Sequence, residues 1–518
     1  MRILCIAILF AAPAFAATCE SLAGLKLPNA TISLAESRAS GPFTPPVGRV
    51  VPGLPAFCRV AGTLKPSADS DIRFEVWLPP AAAWNGKFQG LGNGGYAGSI
   101  AFPSLIDAIF HNYATASTDT GHQDSGTSAQ WALNHPEKII DFGYRAIHET
   151  AVAAKALIHA FYGEDPKHSY FNSCSNGGRQ ALMEAQRYPG DYEGIVAGAP
   201  ANNWTHLLSS AASGVKAMLS EPGSYLPPVK LPAVQAAALA QCDALDGVKD
   251  GIIENPLACH FDPSVLLCKG DESDACLTVH QLSSLNTVYG GLTDSKGHQL
   301  LPGLSPGGEA DPNNWSSWVT GASPEKSQMF LYGTQFFKNM LYSKPDWDFR
   351  SFDADRDTKL ADDRLAGILN STNPDLTAFQ KRGGKLLMYH GWSDAAIPAA
   401  NAVQYFDDVT KKMGAANTGS FARLYMVPGM GHCTGGSGAS AFGQLSTPDG
   451  DRFHSLDAAL EAWVENGTAP AEIVATKYKT PDRSAVLRTH PLCPWPRTAR
   501  YKGTGSTDDA ANFVCAVQ

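Results

Sequence analysis

Residues 170–179, YFNSCSNGGR, constrain the fold of this chain more than any other stretch. Apolar and aromatic residues typical of a buried strand lead into Ser175, and the residues after it, GGRQALMEAQRY, have the pattern of a helix. Such a strand–serine–helix turn presents a nucleophile at the edge of an α/β sheet, and its usual sequence is Gly-x-Ser-x-Gly. Here Ser173 stands at the first glycine position, and Cys174 directly precedes Ser175. A serine and a cysteine are therefore both candidate nucleophiles.

Strand and helix patterns alternate on both sides of this turn. Residues 143–162 carry apolar positions at helical spacing. Strand patterns occupy residues 71–79, 86–95 (running into a glycine-rich loop), 113–119, 169–173, 194–200, 383–394 and 421–433. This alternation predicts a parallel, doubly wound α/β sheet.

The alternation is interrupted between about residue 202 and residue 374. This stretch is rich in proline, glycine, tryptophan and acidic turns, and it contains four cysteines. A chain of 518 residues is too long for one simple core. Because the sheet pattern resumes afterwards, an insertion is favoured over two serial domains. We predict a catalytic domain formed by residues 17–201 and 375–518, with residues 202–374 inserted as a lid domain.

The amino terminus has the features of a secretory signal peptide. Residues 1–16, MRILCIAILFAAPAFA, have a basic start, an apolar run and a small-x-small end. This predicts a secreted or periplasmic protein. No later apolar run reaches about 18 residues, so no membrane span is expected. A net charge of −9 without a basic stripe argues against nucleic acid as a partner.

The cysteine count agrees with export from the cytoplasm. Removing Cys5 with residues 1–16 leaves ten of the 11 cysteines, an even number that predicts five disulfides. Sequence alone does not determine the pairing. Proximity along the chain suggests Cys19–Cys58, Cys242–Cys259, Cys268–Cys276 and Cys493–Cys515, which leaves Cys174 and Cys433.

Two further residues complete a candidate catalytic triad with Ser175. Asp394 follows the strand pattern LLMY, and His432 follows the strand pattern ARLYMV. The chain order Ser, Asp, His is that of the α/β-hydrolase triad, and parallel sheets place their sites at the carboxyl ends of strands. We expect His432 to take the Ser175 proton, and Asp394 to set the imidazole tautomer and stabilise its positive charge.

Two other histidines are weaker candidates for the base. His390 precedes Asp394 in the same loop, which gives the wrong chain order, and we expect a hydrogen-bonded loop residue there. For His122 we also expect a structural role. Cys174 and Cys433 flank Ser175 and His432, so a disulfide between them would hold the base and the nucleophile in register.

The pattern Cys174-Ser175, Asp394, His432-Cys433 resembles the signature of the tannase and feruloyl esterase family of α/β-hydrolases. That family includes fungal feruloyl esterases, fungal tannases and a bacterial mono(2-hydroxyethyl) terephthalate hydrolase. The resemblance extends over nearly the whole mature chain and includes the last cysteine pair.

The resemblance implies an α/β-hydrolase fold with a large inserted lid, and a secreted serine esterase acting on small phenolic esters. Feruloyl and related hydroxycinnamoyl esters are the first expected substrates, galloyl esters the second and a terephthalate monoester the third. The ester could be attached to plant polysaccharide or tannin. Two alternatives from other classes are a cysteine hydrolase using Cys174 and a non-catalytic binding protein. No organic cofactor is implied.

The resemblance also implies an oxyanion hole formed by two backbone amides. One amide belongs to Asn176, the residue after the nucleophile. The other comes from the glycine-rich loop LGNGGYAG, where we place it at Gly95, with Gly94 as the alternative. Backbone amides in such loops can approach a developing oxyanion closely.

A second motif, CDALDGVKDGIIENPLAC at residues 242–259, places three carboxylates within eight residues: Asp243, Asp246 and Asp250. Hard oxygen ligands this close repel one another unless a cation is present. The spacing is not that of an EF-hand. The resemblance implies a structural calcium site in the lid, completed by the carbonyls of Val248 and Ile252. The alternative is a solvated acidic turn.

Residues that contact the acyl group are expected from the lid and from the loop after Asp394. The resemblance implies an aromatic wall at Trp318 and a substrate contact at Ile397. The terephthalate-monoester enzyme has phenylalanine at the latter position, so this chain departs from it there. A core tryptophan is the alternative for Trp318.

Overall fold

The computed structural model describes residues 17–46, 48–445 and 450–517. The predicted signal peptide, residues 1–16, lies outside the described residues. The central element is a nine-stranded sheet. Its strands are β1 (Ala30–Arg38), β2 (Phe57–Leu64), β3 (Ile72–Leu78), β4 (Lys87–Leu91), β5 (Ala114–Thr118), β6 (His168–Cys174), β7 (Gly194–Gly198), β8 (Lys385–Gly391) and β9 (Ala422–Val427).

The strand order across the sheet is β1-β2-β3-β5-β4-β6-β7-β8-β9. Every pair from β5/β4 to β8/β9 is parallel, as the sequence pattern predicts. The first three strands pair antiparallel, and β3 joins β5 antiparallel as well. The sheet is therefore mixed rather than wholly parallel. The prediction missed the antiparallel edge because β1 has no fully buried position and offers only a weak alternating pattern.

Helices pack on this sheet and build the region inserted into it. Those of seven or more residues are α1 (Phe102–Phe110), α2 (Ala146–Tyr162), α3 (Asn176–Arg187), α4 (Trp204–Leu219), α5 (Leu231–Cys242), α6 (Val279–Gly290), α7 (Gln328–Gln335), α8 (Ala354–Ala361), α9 (Ala399–Met413), α10 (Ala415–Phe421) and α11 (Leu456–Asn466). Shorter helices span Pro136–Ile140, Trp315–Trp318, Gly367–Leu369 and Thr377–Lys381. Four two-stranded sheets pair Gly41–Phe43 with Val51–Leu54, Leu292–Thr293 with Gln299–Leu301, Ile473–Tyr478 with Val486–Leu492, and Arg497–Tyr501 with Phe513–Val517.

The two strands on either side of the insertion are neighbours in the sheet. In β7 and β8, Gly194 pairs with Lys385 and Gly198 with Tyr389, although almost 190 residues separate the strands along the chain. Between residues 199 and 384, the described chain adds no strand to the central sheet, and helices α4 to α8 lie there. The predicted domain boundaries at residues 201/202 and 374/375 stay a prediction.

Five disulfides join the ten cysteines of the described chain, and each pairing suggested by proximity is present. Four of them close loops of 8 to 39 residues. The fifth, Cys174–Cys433, spans 259 residues and joins the end of β6 to the loop after β9. Among the described residues, no helix combines the length and the apolar character that crossing a bilayer would need.

Candidate active site

The turn between β6 and α3 holds Ser175 in a backbone conformation that few residues adopt. Its φ is 69° and its ψ is −126°, a backbone region that residues other than glycine rarely occupy. The Ser175 N–H donates to the carbonyl of Gly198 at 2.9 Å, and the Ser175 carbonyl accepts from Arg179 N–H. These bonds keep the strained turn in place, so that the hydroxyl projects beyond the carboxyl end of the sheet.

The structure explains why serine replaces the first glycine of the usual Gly-x-Ser-x-Gly pattern. A Cβ atom added to Gly177 would lie 1.8 Å from the Ser173 Oγ. A Cβ atom added to Gly92 would lie 2.8 Å from the same oxygen. The Ser173 hydroxymethyl group thus occupies space left free by two other glycines, and the turn keeps its close packing.

His432 lies within hydrogen-bonding distance of both Ser175 and Asp394, in the predicted order. The Ser175 Oγ is 2.9 Å from the Nε2 of His432, and the Nδ1 of His432 is 2.9 Å from the Oδ2 of Asp394. Ser175 follows β6, Asp394 follows β8 and His432 follows β9, so all three come from the carboxyl ends of neighbouring or nearby parallel strands. This arrangement can transfer a proton from the serine to the histidine.

Asp394 is buried and fully hydrogen-bonded. Its Oδ1 accepts the N–H groups of Ala396 at 2.7 Å and of Ile397 at 3.0 Å, and its Oδ2 faces His432 and His390. Burial alone would raise the pKa of Asp394, but the nearby charges and hydrogen bonds of the two histidines outweigh burial and hold the pKa well below its usual range. The group is therefore a permanent carboxylate at neutral pH.

The two rival histidines make other contacts. His390, fully buried in β8, has its Nε2 3.1 Å from both the Asp394 Oδ2 and the Ile397 carbonyl. Its hydrogen bonds therefore support Asp394 and do not reach Ser175. His122 bonds the carbonyl of Tyr96 at 2.8 Å and stacks on Trp131, and burial lowers its pKa to about 4.

The backbone near Ser175 offers two candidate oxyanion donors. Asn176 is the first residue of α3, and Gly95 lines the same cleft as Ser175, whereas Gly94 is not among the lining residues. Gly95 has a φ of +57°, and a Cβ atom there would lie 2.2 Å from the carbonyl oxygen of Gly126. Among the described residues, no hydrogen bond uses the N–H of Gly95 or of Asn176. Both amides are therefore available to a ligand.

A cleft of about 810 Å³, part of it open to solvent, begins at Ser175. Trp318 and Ile397, the two predicted substrate contacts, both line it. The ring of Trp318 meets His432 edge-to-face at 4.8 Å and stacks on Tyr332 at 6.0 Å.

Comparison with known proteins decides the family. A sequence model described as "Tannase and feruloyl esterase" matches residues 58–516. An uncharacterized esterase of Xanthomonas campestris pv. campestris is 43% identical over 526 residues, covering 96% of this chain and 91% of that protein. This chain belongs to the tannase and feruloyl esterase family. It is a carboxylic ester hydrolase with the α/β-hydrolase fold, and its substrates are small esters.

Other members of the tannase and feruloyl esterase family match along the same length. A probable feruloyl esterase B-2 of Aspergillus terreus is 34% identical, covering 97% of this chain and 96% of that protein. The crystal structure of feruloyl esterase B from Aspergillus oryzae matches with a TM-score of 0.88 at 31% identity, covering 96% of this chain and 99% of that chain. The alternative of a non-catalytic binding protein is set aside by these matches.

The cysteine beside the nucleophile is bonded in the structure. Cys174 and Cys433 form a disulfide with their Cα atoms 6.0 Å apart. The Cys174 sulfur is therefore not a free thiolate, the form that attacks a carbonyl. The bond ties the residue before Ser175 to the residue after His432.

The acidic motif at residues 242–259 forms a loop closed by Cys242–Cys259. Asp243 accepts the N–H groups of Asp250 and Gly251, and Asp246 accepts that of Val248. Asp250 accepts the N–H of Ile252 and pairs with Arg488 at 2.6 Å. Each carboxylate thus bonds to the loop backbone. The three carboxylates do not all approach within 4.8 Å of one another; among the described residues, only His148, Glu184 and Asp191 do so.

The donor chemistry of this loop nevertheless fits a hard cation. Burial, followed by the charges of Glu254 and Asp250, raises the pKa of Asp246 to about 6. Asp246, Asp250 and Glu254 line one small cavity together with Val248, Ile252, Arg488 and His490, whereas the predicted ligand Asp243 does not line it. The three carboxylates there outnumber the one permanent cation, Arg488, and carboxylate oxygens are the ligands that Ca²⁺ prefers.

Several residues lining the cleft were not predicted from the sequence. They come mainly from helices α4 and α7 and include Trp204, Leu208, Ala211, Met329 and Tyr332. A signal for some of them does exist, since Leu207, Ala211 and Gly214 recur at the spacing of one face of a helix. That signal indicates a helix face but not what the face covers.

Proposed function

We propose that this protein is a secreted serine esterase that hydrolyses hydroxycinnamoyl esters, with feruloyl esters first, through an acyl-enzyme on Ser175. The observation that carries the proposal is the Ser175–His432–Asp394 hydrogen-bond chain at the start of an apolar cleft. Ser175 would attack the ester carbonyl while His432 takes its proton. His432 would then protonate the leaving alcohol and activate the water that releases the acid.

The wall of the cleft favours a hydroxycinnamoyl group over the two alternative acids. None of the described residues lining the cleft carries a formal charge. A terephthalate monoester would bring a carboxylate into this wall without a cationic partner, which is costly. A galloyl group has three hydroxyls to satisfy. Beyond Ser175 the wall offers the hydroxyls of Ser210, Thr287 and Tyr332, and that of Thr287 already donates to the Ser283 carbonyl. A feruloyl ring has one hydroxyl and one methoxy group, so it needs fewer hydrogen-bonding partners from the wall of the cleft.

The test is a comparison of kcat/KM for methyl ferulate, methyl caffeate, methyl gallate and mono(2-hydroxyethyl) terephthalate. We expect methyl ferulate or caffeate to exceed the other two by at least about tenfold, since one unpaired buried polar group costs about 1–3 kcal/mol. A 4-nitrophenyl butyrate assay run in parallel reports general esterase activity. A higher kcat/KM for the gallate or the terephthalate would overturn the proposed acyl preference. Hydrolysis of 4-nitrophenyl butyrate without hydrolysis of any of the four test esters would also overturn it.

We further propose that the enzyme works outside the cytoplasm, either secreted or in the periplasm. Five disulfides support this, because such bonds persist in oxidising compartments. The signal-peptide pattern of residues 1–16 agrees with it. The natural substrate would then be a phenolic ester met outside the cell, free or attached to plant polysaccharide or tannin.

We also propose that the lid loop holds one structural Ca²⁺ through Asp243, Asp246 and Asp250, with the carbonyls of Val248 and Ile252. The bound ion would neutralise the carboxylates and stabilise the loop. A ligand that binds only the folded state stabilises it by mass action, by about 2.7 kcal/mol at 100 times its Kd. We therefore expect a chelator to lower the Tm by several degrees and added Ca²⁺ to restore it, with little change in kcat at low temperature.

A matched pair of lid variants makes the calcium experiment specific. Asp243→Asn should abolish the response of the Tm to Ca²⁺. Asp262→Asn alters an exposed helix-capping aspartate of the same region and should keep the response. Absence of metal by elemental analysis, together with a Tm indifferent to chelator, would show that the loop is a solvated acidic turn.

A further inference from the structure

Arg179 is a buried cation one turn into α3, directly behind the nucleophile. It is fully inaccessible to solvent. Its Nε donates to the Asn176 Oδ1 at 2.8 Å. Its two terminal nitrogens donate to three backbone carbonyls, those of Gly143, Leu369 and Phe142, at 2.8 to 3.1 Å. Every one of these acceptors is neutral.

No carboxylate among the described residues compensates this charge. Burial is the one influence on its pKa, which it lowers to about 9. The guanidinium therefore remains protonated at pH 7. The rings of Phe142 and Trp204 lie 4.7 and 5.2 Å from it and add cation–π attraction. A buried charge without a counter-ion is costly, and an apolar side chain would fill the space without that cost.

The contacts of Arg179 lead to both candidate oxyanion donors. Asn176, which it bonds, supplies one amide, and the Asn176 Nδ2 donates to the carbonyl of Asn93 at 3.1 Å. Asn93 lies in the glycine-rich loop two residues before Gly95, the second donor. The side chains of Asn93 and Gln180 are joined at 3.2 Å, and the Gln180 Oε1 accepts the Asn93 N–H at 3.0 Å.

The loop is anchored at its far side as well. The Asn93 Nδ2 donates to the carbonyls of Ser99 and Thr118, at 2.9 and 2.6 Å. One continuous hydrogen-bond network thus runs from Arg179 through Asn176 and Asn93 to the end of β5. Such a network fixes the relative position of the helix and the loop that carry the two amides.

We propose that Arg179 is a positioning residue for the oxyanion hole, which orients Asn176 and the glycine-rich loop and adds uncompensated positive charge behind their amides. This inference rests on the proposed serine esterase mechanism. The carbonyl oxygen of the ester becomes negatively charged only as Ser175 attacks it. Preorganised donors and charges that face this oxygen therefore act on the transition state more than on the bound ester.

The experiment compares Arg179→Met and Arg179→Lys with the parent enzyme on 4-nitrophenyl butyrate, a substrate independent of the proposed acyl preference. We expect Arg179→Met to lower kcat by about 30- to 100-fold, at or below the roughly 100- to 1,000-fold loss that removal of an oxyanion donor itself causes, with KM changed less than about threefold. Arg179→Lys keeps the charge but cannot make all four hydrogen bonds, so its loss should be intermediate. Arg187→Met, at the exposed end of the same helix, is the matched control and should keep kcat within about twofold.

Inhibitor binding separates positioning from general destabilisation. trans-2-Phenylvinylboronic acid forms a tetrahedral adduct with a nucleophilic serine, whereas cinnamamide has the same skeleton and forms none. Arg179→Met should weaken the boronic acid in proportion to the loss of kcat/KM and leave cinnamamide unchanged. Equal weakening of both inhibitors, or an unchanged kcat in a folded variant, would overturn the proposal.

A third variant keeps the proposal testable if Arg179→Met does not fold. Asn176→Ala retains the backbone amide but removes the side chain that joins Arg179 to Asn93. We expect a loss of kcat of about tenfold, with the same selective weakening of the boronic acid, and full activity would contradict the network. If Ser175→Ala remains active, the serine mechanism itself fails, so the two failures are distinguishable.

Discussion

Replacement of Ser175 by alanine is expected to lower kcat by about 10⁴-fold or more and to leave the Tm nearly unchanged. The Ser175 Oγ is the atom within 2.9 Å of the His432 Nε2, and the adjacent Cys174 sulfur is held in a disulfide. Cys174 therefore cannot be acylated in its place. Removing one hydroxyl from a half-buried position leaves the hydrogen bonds of the Ser175 backbone intact.

The measurements are kcat on 4-nitrophenyl butyrate, a thermal melt and labelling by a fluorophosphonate followed by peptide mass spectrometry. The label should appear on the peptide that contains Ser175 and vanish in the variant. Ser283→Ala, an exposed serine of α6, is the control and should behave as the parent. Activity of Ser175→Ala within tenfold of the parent would refute the serine assignment. Alkylation of Cys174 in the native, unreduced enzyme would reopen the cysteine alternative.

The parts of the fold predicted from sequence are those with a strong local pattern. The strands β6 to β9 are short apolar runs, and β6 leads directly into the serine turn, so their type and order follow from neighbouring residues. The triad could be predicted for a related reason. Each member follows such a strand, and parallel strands bring their carboxyl ends to one edge.

The parts that were missed depend on contacts between distant residues. β1 pairs with β2 along an edge whose alternating pattern is weak. The wall of the cleft combines α4 and α7 with the loop after Asp394, and no local pattern indicates which helix faces meet. The Arg179 network is the clearest case, because Leu369 is 190 residues away from Arg179, and Asn93 is 87 residues away from Gln180. The spacing of residues along the chain gives no indication of such distant partners.

Replacement of Asp394 by asparagine is the second large effect, with an expected loss in kcat of about 10⁴-fold. The hydrogen bonds of Asp394 explain why. Its Oδ1 accepts two backbone N–H groups, from Ala396 and Ile397, so an asparagine must place its carbonyl oxygen there. The amide NH₂ group then faces His432, where the Oδ2 stood. An NH₂ donor forces the Nδ1 of His432 to accept, which puts the imidazole proton on Nε2.

That tautomer cannot take the proton of Ser175, because the Nε2 that faces the Oγ already carries one. His390 can accept from the new amide only if its ring proton moves to Nδ1, which has no partner among the described residues, and the Ile397 carbonyl then loses its donor. We therefore expect the variant to fold with a lower Tm, since one unpaired buried polar group costs about 1–3 kcal/mol. Asp311→Asn is the matched control, because Asp311 is also a buried carboxylate and accepts the N–H of Ser437, five residues beyond His432, without touching the imidazole. We expect its loss to stay below about tenfold.

The double variant Ser175→Ala with Asp394→Asn decides whether these residues act as one unit. If Asp394 acts only by preparing His432 to activate Ser175, its removal costs nothing further once the hydroxyl is gone. The double variant should then retain the same residual kcat as Ser175→Ala alone. This value is far above the kcat that would result if the two single losses multiplied. Multiplicative losses would mean that Asp394 contributes independently of the serine. A loss below about 100-fold for Asp394→Asn, or one confined to KM, would contradict the tautomer argument directly.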